Sequence, residues 1–62
     1  MRTPRFEVYR DAKGEWRWRL RAGNGRIVAD SGESYRKRRA AWFATGWVAI
    51  HAPHAKTKVV ST

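Results

Sequence analysis

Residues 15–22, EWRWRLRA, alternate arginine with apolar side chains and carry the clearest chemical signal of the sequence. In a β-strand, side chains repeat with period two, so Arg17, Arg19 and Arg21 would share one face. Tyr9, on the preceding strand, is expected to project from the same side. Guanidinium groups bind phosphate oxygens and stack on aromatic rings and bases. We expect this face to bind nucleic acid; the alternative is a solvated face whose arginine stems shield the sheet.

Four consecutive cations, Arg36, Lys37, Arg38 and Arg39, stand where a helix is predicted to begin. Basic residues at a helix start are disfavoured by about 0.3–1 kcal/mol each at low salt. A helix start also attracts anions through its free N–H groups, and a bound phosphate would convert the penalty into affinity. We expect these residues to bind phosphate too. The alternative is that the side chains splay into solvent, where salt screens them.

Residues suited to catalysis or metal binding are few. His51 and His54 have a spacing that could hold a metal on an uninterrupted helix, but Pro53 lies between them and no carboxylate follows Glu33. The serines and threonines have no context that would activate a nucleophile. No helix is predicted directly after residues 23–25, GNG, so they do not form a phosphate loop. We expect that the chain is not an enzyme and that it binds no cofactor, metal or small-molecule substrate.

The charge is unevenly distributed along the chain. Fourteen Lys and Arg against five Asp and Glu give a net charge of +9, and every acidic residue lies at or before Glu33. Such a balance favours a polyanionic partner, above all nucleic acid. Neither a signal peptide nor an apolar run of the ~20 residues needed to span a membrane is recognisable. The sequence therefore predicts a cytoplasmic protein with no membrane partner.

The short chain limits how its functional residues can be positioned. Sixty-two residues form one domain at most, and a lone monomer of this size is marginal in stability. Without cysteine, no disulfide can staple it. A tight aromatic core, oligomerisation or both must supply the stability. We expect one domain over residues 1–62, with residues 1–4 and 61–62 flexible.

The hydrophobic pattern predicts three strands and one helix. Turn signals stand at Gly14 and at residues 23–25, and Pro53 would end the helix. Ser34 is the expected N-cap, or Ser31 if the helix begins early. The predicted elements are strands over residues 6–9, 15–22 and 26–30 and a helix over about residues 35–51.

The predicted fold class is α+β, a three-stranded antiparallel meander packed against one C-terminal helix (β-β-β-α). Residues 56–60, KTKVV, could add a short final strand on the edge of their own sheet or of a partner's sheet. Small side chains at helical spacing would pack on the sheet: Ala41, Ala44, Val48 and Ala52. Large apolar side chains left outside that stripe predict an interface with a second copy: Trp42, Phe43, Trp47 and Ile50.

The order of these motifs resembles the YegP-like domain family of small uncharacterised proteins. The resemblance covers about residues 5–60 and implies a β-β-β-α unit with a terminal strand, which pairs as a homodimer in single-unit members. This sequence departs from the family pattern at Arg36, Arg39, Trp42, Phe43 and Trp47. The matching positions are Phe6, Tyr9, Gly14, Trp18, Arg19, Leu20, Ala22, Asn24, Gly25, Ile27, Ala29, Tyr35, Ala41, Val48, Ala52 and Pro53.

The resemblance implies no activity, so two functional hypotheses follow from the residues themselves. The first is a non-enzymatic module that binds nucleic acid, as a homodimer, through the arginine strand and the basic helix start. Its layout is also similar to the arm-binding domains of tyrosine integrases, in which a three-stranded sheet enters a DNA groove. The alternative is a protein-interaction or structural module that uses the helix aromatics, with the charge serving solubility or an acidic partner.

Overall fold

The computed structural model describes residues 3–61 and contains three strands followed by one helix. The strands are β1 (Arg5–Arg10), β2 (Trp16–Arg21) and β3 (Ile27–Asp30), and the helix is α1 (Arg38–His51). The strands pair antiparallel in the order β1-β2-β3, and α1 packs against β2 and β1. The predicted β-β-β-α fold of the α+β class is confirmed.

The register of β1 and β2 gives the sheet two different faces. Phe6 lies opposite Leu20, and Val8 lies opposite Trp18. Because side chains alternate along a strand, these apolar residues share the face covered by α1, and the residues between them point away from it. The pairing of β2 with β3 shifts register between Leu20 and Arg21, which is a β-bulge at the end of the sheet.

Both predicted turns are present, and their backbone explains the residues found there. In the first turn, the Asp11 carboxylate accepts hydrogen bonds from the backbone N–H groups of Lys13 and Glu15 at 2.9 and 3.0 Å. Gly14 in this turn and Gly25 in the second have φ angles of 82° and 89°. A side chain is strained at such angles, so glycine is the residue that fits both turns.

The helix begins three residues later than expected, at Arg38. Tyr35 instead pairs with Trp16 in an isolated antiparallel bridge, in which each backbone N–H donates to the other residue's carbonyl oxygen at 2.7 Å. The Ser34 hydroxyl donates to the Glu15 carboxylate. The prediction that Ser34 caps the helix is therefore wrong, because contacts with the start of β2 hold this segment in an extended form.

The second predicted cap is also used elsewhere. The Ser31 hydroxyl donates to the carbonyl oxygen of Glu33 at 2.7 Å and accepts the backbone N–H of Trp18 at 3.4 Å. Lys37 occupies the N-cap position and supplies no side-chain hydrogen bond to α1. The helix ends at His51 as predicted, and a 3₁₀ turn containing Pro53 follows it.

The core is small and centred on two residues. Ala41 of α1 is fully buried (0% exposed) and Trp18 of β2 is 7% exposed. The Phe6 ring meets the Trp18 ring edge-to-face, with centroids 5.6 Å apart. The predicted packing stripe is correct at Ala41 and, half-buried, at residues 44 and 48, but Ala52 is exposed. Residue 52 has already entered the 3₁₀ turn, which carries it away from the sheet.

Residues 55–61 follow the 3₁₀ turn without regular secondary structure. Residues 56–60 thus form no strand on the sheet of their own chain, and pairing with a partner's sheet stays a prediction. Of the ends expected to be flexible, residues 1, 2 and 62 lie outside the described residues. Within residues 3–61, no helix is both long and apolar enough to cross a membrane.

Candidate nucleic-acid interface

The outer face of the sheet, turned away from α1, holds the three arginines of β2. Arg17, Arg19 and Arg21 occupy alternate positions, and Tyr9 lies directly opposite Arg17 on β1. This shared face agrees with the period-two pattern of the sequence. The Arg19 guanidinium lies over the Tyr9 ring, 4.5 Å from its centroid. The aromatic ring is therefore already covered by a cation of its own sheet.

Glu7 neutralises much of the charge on this face. The Nε–H groups of Arg19 and Arg21 both donate to one Glu7 carboxylate oxygen at 2.7 Å, and Arg5 reaches the other oxygen at 3.3 Å. Hydrogen bonds from Arg21 and Arg19, together with their positive charges, lower the pKa of Glu7 to about 2. Glu7 is therefore ionised throughout the neutral range and holds its arginines in place.

Asp11 neutralises the third arginine in the same way. The Arg17 Nε–H donates to Asp11 at 2.9 Å. This bond, with the backbone N–H of Glu15, lowers the pKa of Asp11, and the same carboxylate raises the pKa of Arg17. The arginines of this face are thus paired with carboxylates, which the sequence interpretation did not include, and binding of nucleic acid there stays a prediction. The pairing was detectable in part, because Glu7 and Tyr9 are two residues apart and must share a face.

Four consecutive cations without a salt bridge among the described residues lie at the start of α1. Arg36 and Lys37 precede the helix, and Arg38 and Arg39 form the beginning of its first turn. All four are exposed. The salt bridges within residues 3–61 involve Arg5 and the three β2 arginines, and none involves residues 36–39. These four cations therefore have guanidinium and ammonium groups available to an external anion.

A pocket lies beside this basic segment. Arg38, Arg39, Trp42 and Val8 of β1 line it, and its volume is ≈ 460 Å³. Side chains three and four residues apart lie on one side of a helix, which explains why both arginines flank Trp42. The sequence interpretation assigned the arginines to nucleic acid and Trp42 to an interface. The helical spacing of Arg38, Arg39 and Trp42 already indicates that they share one side of α1. The contribution of Val8 to the pocket could not be predicted in this way, because it depends on how α1 packs against β1.

The other large apolar side chains of α1 lie on its exposed surface, as expected. Phe43, Trp47 and Ile50 are between 63% and 69% exposed. Their spacing of four and three residues places them in one stripe, which we call the outer aromatic stripe. His51 stacks on Trp47 with ring centroids 4.2 Å apart, and its Nδ1 lies 2.8 Å from the Trp47 carbonyl oxygen. The stripe is a candidate contact surface.

Within residues 3–61, no group of three or more His, Asp or Glu side chains is arranged to hold a metal ion. His54 lies in the 3₁₀ turn, beyond the end of α1 that carries His51. The geometry offers binding surfaces made of cations and aromatic rings.

The sheet, the helix and their basic junction define a small α+β domain of the β-β-β-α type. A family model described as "Domain of unknown function (DUF1508)" matches residues 11–58. The chain belongs to this family, which is the YegP-like family that its motifs resemble. The description of this family names no enzymatic activity.

Relatives carry the name UPF0339 protein. The one from Methanosarcina acetivorans is 39% identical over 56 residues, which cover 90% of this chain and 95% of that protein. The one from Treponema denticola is 37% identical over 51 residues, covering 82% of this chain and 86% of that protein. A relative from Neisseria meningitidis serogroup B is 63% identical over 30 residues, 48% of this chain, and the match spans about half of that protein's length (52%).

A solved structure shares the fold closely. The solution NMR structure of a protein from Haloferax volcanii matches with a TM-score of 0.88 and 40% sequence identity. The match covers 97% of this chain and 100% of the other chain. The agreement over nearly the full length supports the arrangement of sheet and helix described above.

Proposed function

We propose that this chain is a non-enzymatic, cytoplasmic module that binds the phosphate backbone of nucleic acid and works as a homodimer. The basic helix start, Arg36 to Arg39, supplies the main contacts. The outer face of the sheet, with Arg17, Arg19, Arg21 and Tyr9, supplies a weaker second surface.

The observation that carries this proposal is the separation of paired from unpaired cations. On the outer face of the sheet, four arginines share two carboxylates, Glu7 and Asp11. At residues 36–39, four exposed cations have no carboxylate within salt-bridge distance among the described residues. A polyanion gains most where cations need not first give up a partner, so the helix start is the favoured contact.

The start of α1 is also electrostatically unfavourable in the free protein, and a bound anion would remove this cost. Lys37 leaves the first N–H groups of α1 without a side-chain cap, and the first turn contains no acidic residue. Cations near this end are unfavourable because the helix dipole is positive there. A phosphate oxygen would accept hydrogen bonds from the guanidiniums of Arg38 and Arg39 and offset their mutual repulsion.

The homodimer rests on the outer aromatic stripe. Phe43, Trp47 and Ile50 expose apolar area on a small domain in which the buried core, among residues 3–61, consists of Ala41 and Trp18. Large exposed apolar groups grouped in one stripe are typical of association surfaces. Covering them with a second copy would add the buried area that a chain of this size lacks.

The same stripe favours a second candidate function, a protein-interaction module in which the charge attracts an acidic partner. The two functions differ in their dependence on salt and on the type of polymer. Binding to nucleic acid releases condensed counterions and responds steeply to salt. The affinity of an interface dominated by apolar rings changes much less with ionic strength.

A salt-titrated binding measurement tests the proposal. The protein is added to labelled single-stranded DNA, duplex DNA and RNA, and fluorescence anisotropy gives Kd from low to moderate ionic strength. Four phosphate contacts per protomer predict a plot of log K against log salt with a slope of roughly −3 to −4. A flat salt response, or no binding to any of the three polymers, would overturn the proposal.

A further inference from the structure

The pocket between the start of α1 and β1 combines two kinds of recognition group in one place. Arg38 and Arg39 contribute guanidiniums, Trp42 contributes an indole ring, and Val8 contributes an apolar wall. Trp42 is 66% exposed. The volume of ≈ 460 Å³ falls in the range of about 300–1,000 Å³ that small-ligand sites occupy. The pocket therefore suits a ligand that is both aromatic and anionic.

Among residues 3–61, Trp42 differs from the other three tryptophans because its ring has neither an aromatic nor a cationic partner. Trp18 is buried against Phe6. Trp16 lies under the Arg10 guanidinium, 5.6 Å from it, and Trp47 is stacked on His51. Among residues 3–61, no aromatic ring stacks on Trp42 and no cation lies over it.

The position of the arginines next to this ring determines what can stack on it. Arg38 and Arg39 lie four and three residues before Trp42, so their guanidiniums border the same pocket. A nucleobase lying on the indole would bring its own phosphate within reach of these side chains. The ring provides a base-stacking platform and the arginines provide the charge that a nucleotide backbone needs.

We propose that this pocket binds an unpaired nucleobase stacked on Trp42 with its phosphate held by Arg38 and Arg39, so the chain prefers single-stranded over duplex nucleic acid. The inference rests on the proposed nucleic-acid function and specifies its substrate. In a duplex the base faces are stacked on their neighbours and are not accessible to a side-chain platform. In a single strand, bases can leave the stack and lie on an aromatic ring.

The test compares three probes with the same number of phosphates at one ionic strength: a single strand, a hairpin duplex and an abasic strand. The abasic strand keeps the charge but has no base to stack. We expect wild-type protein to bind the single strand more tightly than the hairpin or the abasic strand. Trp42→Leu should lower single-strand affinity roughly 5- to 150-fold and leave the other two nearly unchanged.

Two further variants make the result specific to stacking. Trp42→Phe keeps an aromatic platform and should retain part of the single-strand preference. Val60→Ala shortens a similarly exposed apolar side chain (70%) outside the pocket and should change nothing. Circular dichroism verifies that each variant is folded.

The possible outcomes separate this inference from the proposed function. Equal binding of all three probes would overturn the pocket inference and leave the nucleic-acid function intact. A preference for single strands that survives Trp42→Leu would likewise overturn the pocket inference. Binding to none of the probes would overturn both.

Discussion

Glu7 and Arg19 lie directly opposite each other on β1 and β2, and the Arg19 Nε–H donates to the Glu7 carboxylate at 2.7 Å. The same carboxylate holds Arg21 and Arg5. This one acidic residue turns a row of arginines into a structural network. The arginines of β2 are consequently paired with carboxylates of their own chain, whereas the four consecutive cations at the start of α1 take part in no salt bridge within residues 3–61.

The network predicts a particular pH dependence of stability. The pKa of Glu7 falls from 4.5 to about 2 in the folded chain. A lowered folded-state pKa stabilises the fold above the unfolded value, and that contribution is lost as pH falls from about 4.5 towards 2. Glu7→Gln removes the group, so its thermal unfolding temperature should be lower at pH 7 and should change less across this window.

Thermal unfolding followed by circular dichroism at several pH values measures this difference. Glu33→Gln is the matched control, because Glu33 is exposed and takes part in none of the salt bridges within residues 3–61. The plot of unfolding temperature against pH for Glu33→Gln should run parallel to that of the wild type. If Glu7→Gln also ran parallel between pH 4.5 and 2, the network would have no part in acid stability.

The close approach of α1 to the sheet depends on the small side chain of Ala41. This residue has no exposed surface, so Ala41→Leu overpacks the core at a cost of about 1–3 kcal/mol. For a domain of this size, the unfolding temperature should drop by roughly 5–20 °C. Ala49→Leu makes the same change at an exposed position of α1 and should stay within about 0.5 kcal/mol of the wild type.

The uncapped start of α1 predicts a trade between stability and binding. Lys37 has the extended backbone of an N-cap, with φ −117° and ψ 140°, but supplies no capping hydrogen bond. Lys37→Ser should stabilise the fold by about 0.5–2 kcal/mol and weaken nucleic-acid binding. Lys56→Ser removes the same charge from the exposed tail and should leave the unfolding temperature unchanged. A Lys37→Ser variant that is no more stable would contradict the capping argument.

The outer aromatic stripe predicts how the chain associates. Phe43→Ser combined with Trp47→Ser should shift the solution mass from dimer towards monomer in analytical ultracentrifugation, because both rings would leave the interface. Val59→Ser, which alters an apolar residue that is 97% exposed in the tail, should leave the mass unchanged. A wild-type chain that sediments as a monomer at all concentrations tested would exclude the dimer.

Local patterns predicted most of the fold. The alternation in β2, the turn residues around Gly14 and Gly25, and the stop at Pro53 are signals contained in a few neighbouring residues. The helix start was missed because its cause is not local. Ser34 is a good cap in isolation, but Glu15 binds its hydroxyl and Trp16 pairs with the next residue along the chain.

The candidate site was also predictable only where local patterns determine it. The shared face of the β2 arginines follows from period-two alternation, yet their pairing with Glu7 and Asp11 depends on the register of the first hairpin. The helical spacing of the arginines and Trp42 was readable from the sequence. The pocket they form with Val8 requires the docking of α1 against β1, which no local pattern specifies.

We propose that the unpaired cations at the start of α1, rather than the paired arginines of the sheet, make the main contacts with the polyanion. Three double variants that each remove two positive charges compare the surfaces directly. They are Arg38→Gln with Arg39→Gln, Arg17→Gln with Arg19→Gln, and Lys56→Gln with Lys58→Gln in the tail.

The decisive measurement is the salt dependence of single-stranded DNA binding by these three folded variants. We expect the helix-start variant to lose the most affinity and to reduce the steepness of the log–log salt slope by about 1.4, the contribution of two phosphates on a single strand. The tail variant should retain nearly the wild-type slope, and the sheet variant should lose less affinity and less slope than the helix-start variant. A larger loss in the Arg17 and Arg19 variant than in the Arg38 and Arg39 variant would contradict the account.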